Sequence, residues 1–118
     1  MEEMNLNKSI FYFDDESGCL DVFECFFGDE YQVRTSTSLA EAHRMLSEHP
    51  ADIIISDQIM PEIKGTVFLR DVARRWPESY RVLLTGGAML GNVLPEINGS
   101  FVHQFMAKPW LYQDMQQA

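Results

Sequence analysis

Short apolar segments alternate along the chain with segments whose apolar residues recur at helical spacing. Three consecutive isoleucines at 53–55 favour an extended backbone, and such a run is typical of a strand that is buried on both faces. Apolar segments bounded by polar and turn-forming residues predict strands. The five predicted strands are 9–13, 31–35, 51–57, 81–85 and 101–106.

Helical spacing predicts a helix after each of the first three strands. The first helix is expected to stop at Gly28. Ser38 and Glu41 form a capping-box pattern that opens the second helix, which runs through about residue 48, and the third helix spans 66–76. The expected inner-face residues are Leu20, Phe23, Phe26 and Phe27 in the first helix, Leu39, Ala42, Met45 and Leu46 in the second, and Val67, Phe68, Val72 and Trp76 in the third.

The remaining helical segments are weaker, and they complete the pattern of the fold. Pro95 interrupts the helix expected over 90–97, and the last helix over 111–117 is short. Strands that alternate with helices form a parallel sheet with helices on both faces. The sequence therefore predicts one α/β domain over 1–118, a flavodoxin-like, doubly wound (βα)5 fold with a five-stranded parallel sheet in the order 2-1-3-4-5.

Composition narrows the class of protein. The 118-residue chain is 46% hydrophobic, and its net charge of −9 argues against binding of nucleic acid or acidic membranes. No apolar run approaches the ~20 residues that span a bilayer, and the acidic N-terminus is unlike a secretory signal. Cys19 and Cys25 are too few for a disulfide framework or a zinc site. We expect a cytoplasmic globular domain whose cysteines pack in the interior.

Acidic, hydroxyl and basic side chains end or follow four of the predicted strands. Asp14 and Asp15 follow the first strand, Asp57 ends the third, Thr85 ends the fourth and Lys108 follows the fifth. Because the carboxyl ends of parallel strands meet at one edge, we expect these side chains to lie close together. Clustered carboxylates repel one another, and a hard divalent cation such as Mg²⁺ relieves that repulsion. The set suits phosphoryl transfer onto Asp57.

Five short motifs stand in the order and with the spacing of one known family. They are Phe13-Asp14-Asp15-Glu16, Ser56-Asp57-Gln58-Ile59-Met60-Pro61, Gly65, Leu84-Thr85-Gly86 and Lys108-Pro109. From about residue 8 to the C-terminus, the sequence resembles the receiver domain of bacterial two-component response regulators, which belong to the CheY-like superfamily. One motif alone is weak, whereas the joint match is specific.

The resemblance implies a role for each residue of the site. Asp57 would be the phosphoacceptor, and a sensor histidine kinase or phosphotransfer protein would be the donor. Asp15 and Asp57 would contact Mg²⁺ directly, Asp14 would act through a water, and the backbone carbonyl of Ile59 would complete the protein ligands.

The same resemblance implies a switch. Thr85 and Lys108 would bind the phosphoryl group, and Phe105 occupies the switch-aromatic position. The switch role of Phe105 rests on the resemblance alone, and the alternative is an ordinary core aromatic. The domain would catalyse only its own phosphorylation and dephosphorylation, and it would not be a metabolic enzyme. The short last helix suggests an effector domain in a longer protein, and a homodimer is possible.

At two positions the sequence lacks the kind of side chain that could speed hydrolysis of the phosphoryl group. Ile59 and Gly87 stand at the sites that flank the path of the hydrolytic water in this family, and neither side chain can orient that water. We therefore expect a long-lived phosphorylated state. The stretch 86–100, rich in glycine and interrupted by Pro95, predicts an irregular fourth helix.

Two other classes of function stay open. One is an interaction module that works without phosphorylation and keeps the site as a remnant of the fold. The other is a small Mg²⁺-dependent aspartyl phosphatase, which usually has a second acid where Ile59 stands. Taken singly, the acids at 14–16 are also typical of a solvated turn, and Asp57 is a common turn former.

Overall fold

A computed structural model describes residues 8–86 and 101–108 of the chain. Five strands and three helices lie in these ranges. They are β1 (Ser9–Phe13), α1 (Ser17–Phe27), β2 (Gln32–Ser36), α2 (Leu39–Glu48), β3 (Ile53–Asp57), α3 (Gly65–Arg75), β4 (Tyr80–Gly86) and β5 (Gln104–Lys108). The helices predicted over 90–97 and 111–117 lie outside the described residues.

The strands form one parallel sheet in the order β2-β1-β3-β4-β5. This order confirms the predicted fold class. The register aligns Phe13 of β1 with Ser56 of β3, and Asp57 of β3 with Leu84 of β4. The carboxyl ends of these strands therefore lie side by side, and residues that end or follow them share one edge of the sheet.

Alternate strand residues point into two hydrophobic clusters on opposite faces of the sheet. One cluster includes Phe11, Phe13, Ile54 and Leu83 of the strands, Ala42 and Leu46 of α2, and Phe68, Leu69 and Val72 of α3. The other includes Ile10, Tyr12, Ile55 and Leu84 of the strands and Leu20, Phe23 and Phe27 of α1. The sheet is thus buried on both faces, as the isoleucine run predicts, and each fully buried large side chain contributes about 1.5–3 kcal/mol.

The predicted C-terminal end of the first helix and the predicted start of the second helix are confirmed. Helix α1 ends at Phe27, and Gly28 is its C-cap. Helix α2 begins after Ser38, whose Oγ accepts a hydrogen bond from the backbone N–H of Glu41 at 3.3 Å. This bond satisfies one of the donors that the first turn of a helix leaves without an intrahelical partner.

Two of the predicted inner-face residues are wrong. Phe26 is 51% exposed and Val67 is 46% exposed. At 3.6 residues per turn, Phe26 points about 90° away from the buried stripe of α1, and Val67 lies almost opposite the stripe of α3. Leu69, which the spacing argument omitted, is fully buried instead.

The start of β5 also differs from the prediction. Phe101 and Val102 are buried, but the strand begins only at Gln104. Their apolar character reflects packing against the core beside β4 rather than a place in the strand. An apolar run cannot distinguish these two environments, so the predicted strand begins too early.

Neither cysteine is in the core. Cys19 is partly exposed, Cys25 is exposed, and both are free thiols. The expectation of interior packing is therefore wrong, most clearly for Cys25. Within the described ranges, no helix has the length and apolar character needed to cross a membrane.

Candidate functional site

Three acids converge at the carboxyl edge of the sheet. Asp14 directly follows β1 and is fully buried, Asp57 ends β3 and is 7% exposed, and Asp15 is exposed. One carboxylate oxygen from each lies within 4.8 Å of the others. The pairing of β1 with β3 causes this convergence, as predicted from the positions of the acids at the strand ends.

Asp14 is held by hydrogen bonds of both its side chain and its backbone. Its Oδ2 accepts a bond from the hydroxyl of Tyr12 at 2.8 Å, and its Oδ1 accepts one from the backbone N–H of Glu16 at 3.0 Å. Its own N–H donates to the carbonyl of Ser36 at 3.2 Å. Both oxygens of this carboxylate therefore already accept a bond from the protein.

Tyr12 is a site residue that the sequence argument missed. Burial and then the nearby Asp14 charge raise the pKa of its phenol far above the ordinary value. The hydroxyl therefore keeps its proton and acts as a donor. Strand alternation places residues 12 and 14 on the same side, and that spacing was the available signal.

The carboxylate cluster matches the ligand chemistry of a hard divalent cation. Mg²⁺ binds oxygen ligands, usually takes one or two carboxylates directly, and keeps several waters. Asp15 and Asp57 supply carboxylates at the edge, and Asp14, with both oxygens engaged, is suited to act through a water. The residues present therefore fit Mg²⁺ in the arrangement that the family resemblance implies.

The connection from β3 to α3 is clamped by Gln58, which is 2% exposed. Its backbone N–H donates to the carbonyl of Leu84 at 2.9 Å, and its carbonyl accepts from Gly65 N–H at 3.0 Å. Its side-chain Oε1 accepts from the N–H of Thr66 at 2.9 Å and so satisfies a donor in the first turn of α3. Sequence reasoning also missed Gln58, because a glutamine in a turn has no distinctive pattern.

Gly65 allows this connection to pass close to the phosphoacceptor candidate. A Cβ at this position would lie 2.2 Å from the backbone oxygen of Asp57 and 2.8 Å from the side chain of Leu83. Only a residue without a side chain fits there. Ile59, in the same connection, is 56% exposed and its side chain carries no hydrogen-bonding group.

The other predicted residues lie on β4 and β5. Thr85 is 2% exposed near the end of β4, and the register pairs Gly86 with Lys108 at the same edge. Phe105 is partly buried against the cluster that contains Phe68 and Leu83. Gly87 and the side chain of Lys108 lie outside what the structure describes.

The family profile of the response regulator receiver domain matches residues 10–118. This chain therefore belongs to the response regulator receiver domain family, as the sequence motifs predict. The fold, with five parallel strands in the order 2-1-3-4-5, agrees with that assignment.

Among curated proteins, the chain is similar to the hydrogenase transcriptional regulatory protein HoxA of Cupriavidus necator. The two are 33% identical over 98 residues, which cover 83% of this chain and 20% of HoxA. HoxA of Bradyrhizobium diazoefficiens is 24% identical over 107 residues, or 91% of this chain and 22% of that protein. The chain thus spans about a fifth of the length of these relatives.

Among solved structures, the chain resembles a response regulator receiver domain protein from Clostridium thermocellum, with 27% identity and a TM-score of 0.83 over 93% of this chain and 89% of that one. It also resembles the response regulator TrrA of Thermotoga maritima, solved in complex with Mg(2+)-BeF, with a TM-score of 0.80 over 93% and 94% of the two chains. At 19% identity, the second likeness shows the fold alone. The role of each site residue stays a prediction.

Proposed function

We propose that this receiver domain is a phosphorylation-controlled switch, in which Asp57 accepts a phosphoryl group in the presence of Mg²⁺. The donor is the phosphohistidine of a sensor histidine kinase or phosphotransfer protein. The observation that carries the proposal is the approach of Asp14, Asp15 and Asp57 to within 4.8 Å at the carboxyl edge of the sheet. The TrrA structure, solved with Mg(2+)-BeF, supports it by analogy of fold.

The transfer is a substitution at phosphorus. A carboxylate oxygen of Asp57 attacks the phosphorus, the phosphorus–nitrogen bond of the donor breaks, and its electron pair returns to the imidazole. Asp57 then carries the phosphoryl group as an acyl phosphate. Bound Mg²⁺ would neutralise the negative charge that gathers in such a transfer.

The residues of the chain position the reactants. Asp15, Asp57 and the Ile59 carbonyl would hold Mg²⁺ directly, and Asp14 would hold it through a water. We assign the phosphoryl oxygens to Lys108, as a compact point charge, and to the Thr85 hydroxyl, as a donor.

Phosphorylation would be transmitted through Thr85 and Phe105. Thr85 is buried beside the site, and Phe105 lies one strand away, partly buried against the core. A hydroxyl drawn toward the phosphoryl group leaves room for an aromatic ring to move inward, which alters the outer surface. This surface would be read by an effector domain in a longer cytoplasmic protein, by analogy with the HoxA transcriptional regulators, or by a second copy of the domain in a homodimer.

The domain would perform no metabolic chemistry, and its phosphorylated state would be long-lived. Ile59 offers no group that can orient a hydrolytic water. Decay of the phosphorylated protein over minutes or longer is expected, measured by intact-mass spectrometry after removal of the donor. A half-life of seconds would contradict this part of the proposal.

The test of function is adduct formation by the 118-residue protein with Mg²⁺ and either beryllofluoride or a small phosphodonor. A stable adduct that requires Mg²⁺ and is lost in Asp57→Asn supports the switch. Asp52→Asn, at the opposite end of the same strand region, is the matched control and should leave the adduct intact. No adduct would favour an interaction module that works without phosphorylation, and rapid multiple turnover would favour a phosphatase.

A further inference from the structure

Tyr12 connects the hydrophobic core beneath the sheet to the acidic edge, the carboxyl edge at which Asp14, Asp15 and Asp57 converge. It is fully buried on β1, and its ring packs edge-to-face on Phe23 of α1, with ring centroids 5.1 Å apart and an interplanar angle of 71°. Its hydroxyl extends beyond this packing to Oδ2 of Asp14 at 2.8 Å. One side chain thus contacts both a buried ring of α1 and Asp14, the acid that would hold the cation through a water.

We propose that Tyr12 is a positioning residue for the divalent cation, acting by holding the Asp14 carboxylate in a fixed orientation through this hydrogen bond. The inference rests on the proposed binding of Mg²⁺ at the acidic edge. It adds a residue that lies outside the motifs of the receiver family and that makes no contact with the cation itself.

The orientation of Asp14 is defined from both of its oxygens. Tyr12 donates to Oδ2, and the N–H of Glu16 donates to Oδ1 at 3.0 Å. Because the tyrosine and the aspartate are both fully buried, rotation of the carboxylate would leave a buried hydroxyl without this acceptor. Partners of this kind orient metal ligands and strengthen metal binding.

Packing alone does not explain the hydroxyl. A phenylalanine would fill the same volume and keep the edge-to-face contact with Phe23, as the neighbouring buried Phe11 and Phe13 fill theirs. A buried phenol needs a hydrogen-bond partner, and the described partner is Asp14. The hydroxyl therefore acts on the site rather than on the core.

The primary test is Mg²⁺ binding by the Tyr12→Phe variant of the 118-residue protein, measured by isothermal titration calorimetry. We expect the dissociation constant for Mg²⁺ to rise about tenfold, the lower end of the range for loss of such a partner. Tyr80→Phe is the matched control, since it removes a hydroxyl that bonds Gln104 at 2.9 Å in an exposed position on β4. The control should bind Mg²⁺ like the parent.

A double-mutant cycle shows whether the hydroxyl acts through Asp14. In an Asp14→Ala background, which removes the acceptor of the Tyr12 hydroxyl, Tyr12→Phe should change the dissociation constant by less than about twofold, the smallest difference that such a cycle resolves. An equal loss in both backgrounds would assign the effect to packing and overturn the inference. A Tyr12→Phe variant that binds Mg²⁺ like the parent would overturn it as well, whereas a parent that binds no Mg²⁺ would overturn the proposed function and this inference with it.

Discussion

Buried charges have opposite surroundings at the two ends of the sheet. At the carboxyl end, buried Asp14 and Asp57 lie with Asp15 in a group of like charges. At the amino end, Arg81 of β4 is only 5% exposed, and its guanidinium donates to neutral acceptors of the backbone and of one hydroxyl. Those acceptors are the carbonyls of Phe101 at 2.6 Å, Ser79 at 2.9 Å, Pro77 at 3.4 Å and Trp76 at 3.5 Å, and the Ser79 Oγ at 3.1 Å.

The difference separates structural charge from functional charge. Arg81 ties the turn before β4 to the segment before β5, and its burial lowers the pKa of the guanidinium without removing the charge at neutral pH. The carboxyl end instead concentrates negative charge that a cation can neutralise. Removing a charge should therefore destabilise the protein at the amino end and stabilise it at the carboxyl end.

Arg81→Ala should have the largest effect. The change removes the donor for Phe101 and Ser79 and leaves buried carbonyls without this partner, so we expect a loss of about 3 kcal/mol in the free energy of unfolding. Urea denaturation measures it. Arg74→Ala, on the exposed face of α3, is the control and should stay within about 0.5 kcal/mol of the parent. A comparable loss in both variants would show that the buried hydrogen bonds of Arg81 do not stabilise the folded protein.

Gln58→Met tests whether a buried side-chain hydrogen bond also stabilises the protein at the carboxyl end of the sheet. Loss of the acceptor for the Thr66 N–H at the start of α3 should cost about 2 kcal/mol, because that donor is buried. Gln104→Met is a matched control, since its Oε1 also accepts one bond at 2.9 Å, from Tyr80, but in an exposed setting. Thermal and urea unfolding of the two variants should differ clearly, and equal losses would contradict the assigned role of Gln58.

These two predictions use residues that the sequence did not reveal. The strand pattern and the motifs predicted the sheet order and the convergence of Asp14, Asp15 and Asp57, because strand order and parallel direction decide which residues meet at an edge. The partners of the buried polar groups depend on where a side chain points after folding. Hence the sequence pattern indicated no role for Arg81 or for Gln58, and the buried stretch before Gln104 was mistaken for the start of a strand.

Asp57→Asn tests whether removal of a charge at the carboxyl end stabilises the protein, the opposite of the effect expected for Arg81. Removing one of the clustered negative charges should raise the free energy of unfolding by about 1 kcal/mol in the absence of divalent cations, since two like unit charges about 4 Å apart repel one another by about 1 kcal/mol even in water. Urea denaturation in EDTA at low salt measures the gain, which Mg²⁺ should reduce by stabilising only the parent. Asp52→Asn should give no gain, because Asp52 Oδ2 accepts a bond from the Ser9 N–H at 3.0 Å. A destabilised Asp57→Asn protein would refute the contrast between the two ends.

The smallest effect on stability is expected from protonation of His103, which lies at the amino end of the sheet. The Nδ1 of His103 accepts a bond from the Arg81 N–H at 2.9 Å, while the His103 N–H donates to the Arg81 carbonyl at 2.9 Å. Protonation of Nδ1 would abolish the first bond, and burial followed by the nearby Arg81 charge lowers the pKa of His103 below 6.5. Because the unfolded chain binds this proton more readily, the contribution is present above pH 6.5 and is lost as the pH falls through the lowered pKa. His103→Gln removes this titration, so the parent should lose stability relative to the variant as the pH falls from about 8 to about 5, the range in which histidine ordinarily changes its charge. A stability difference that stays constant over this range in urea denaturation would show that the His103 proton does not act on the junction of β4 and β5.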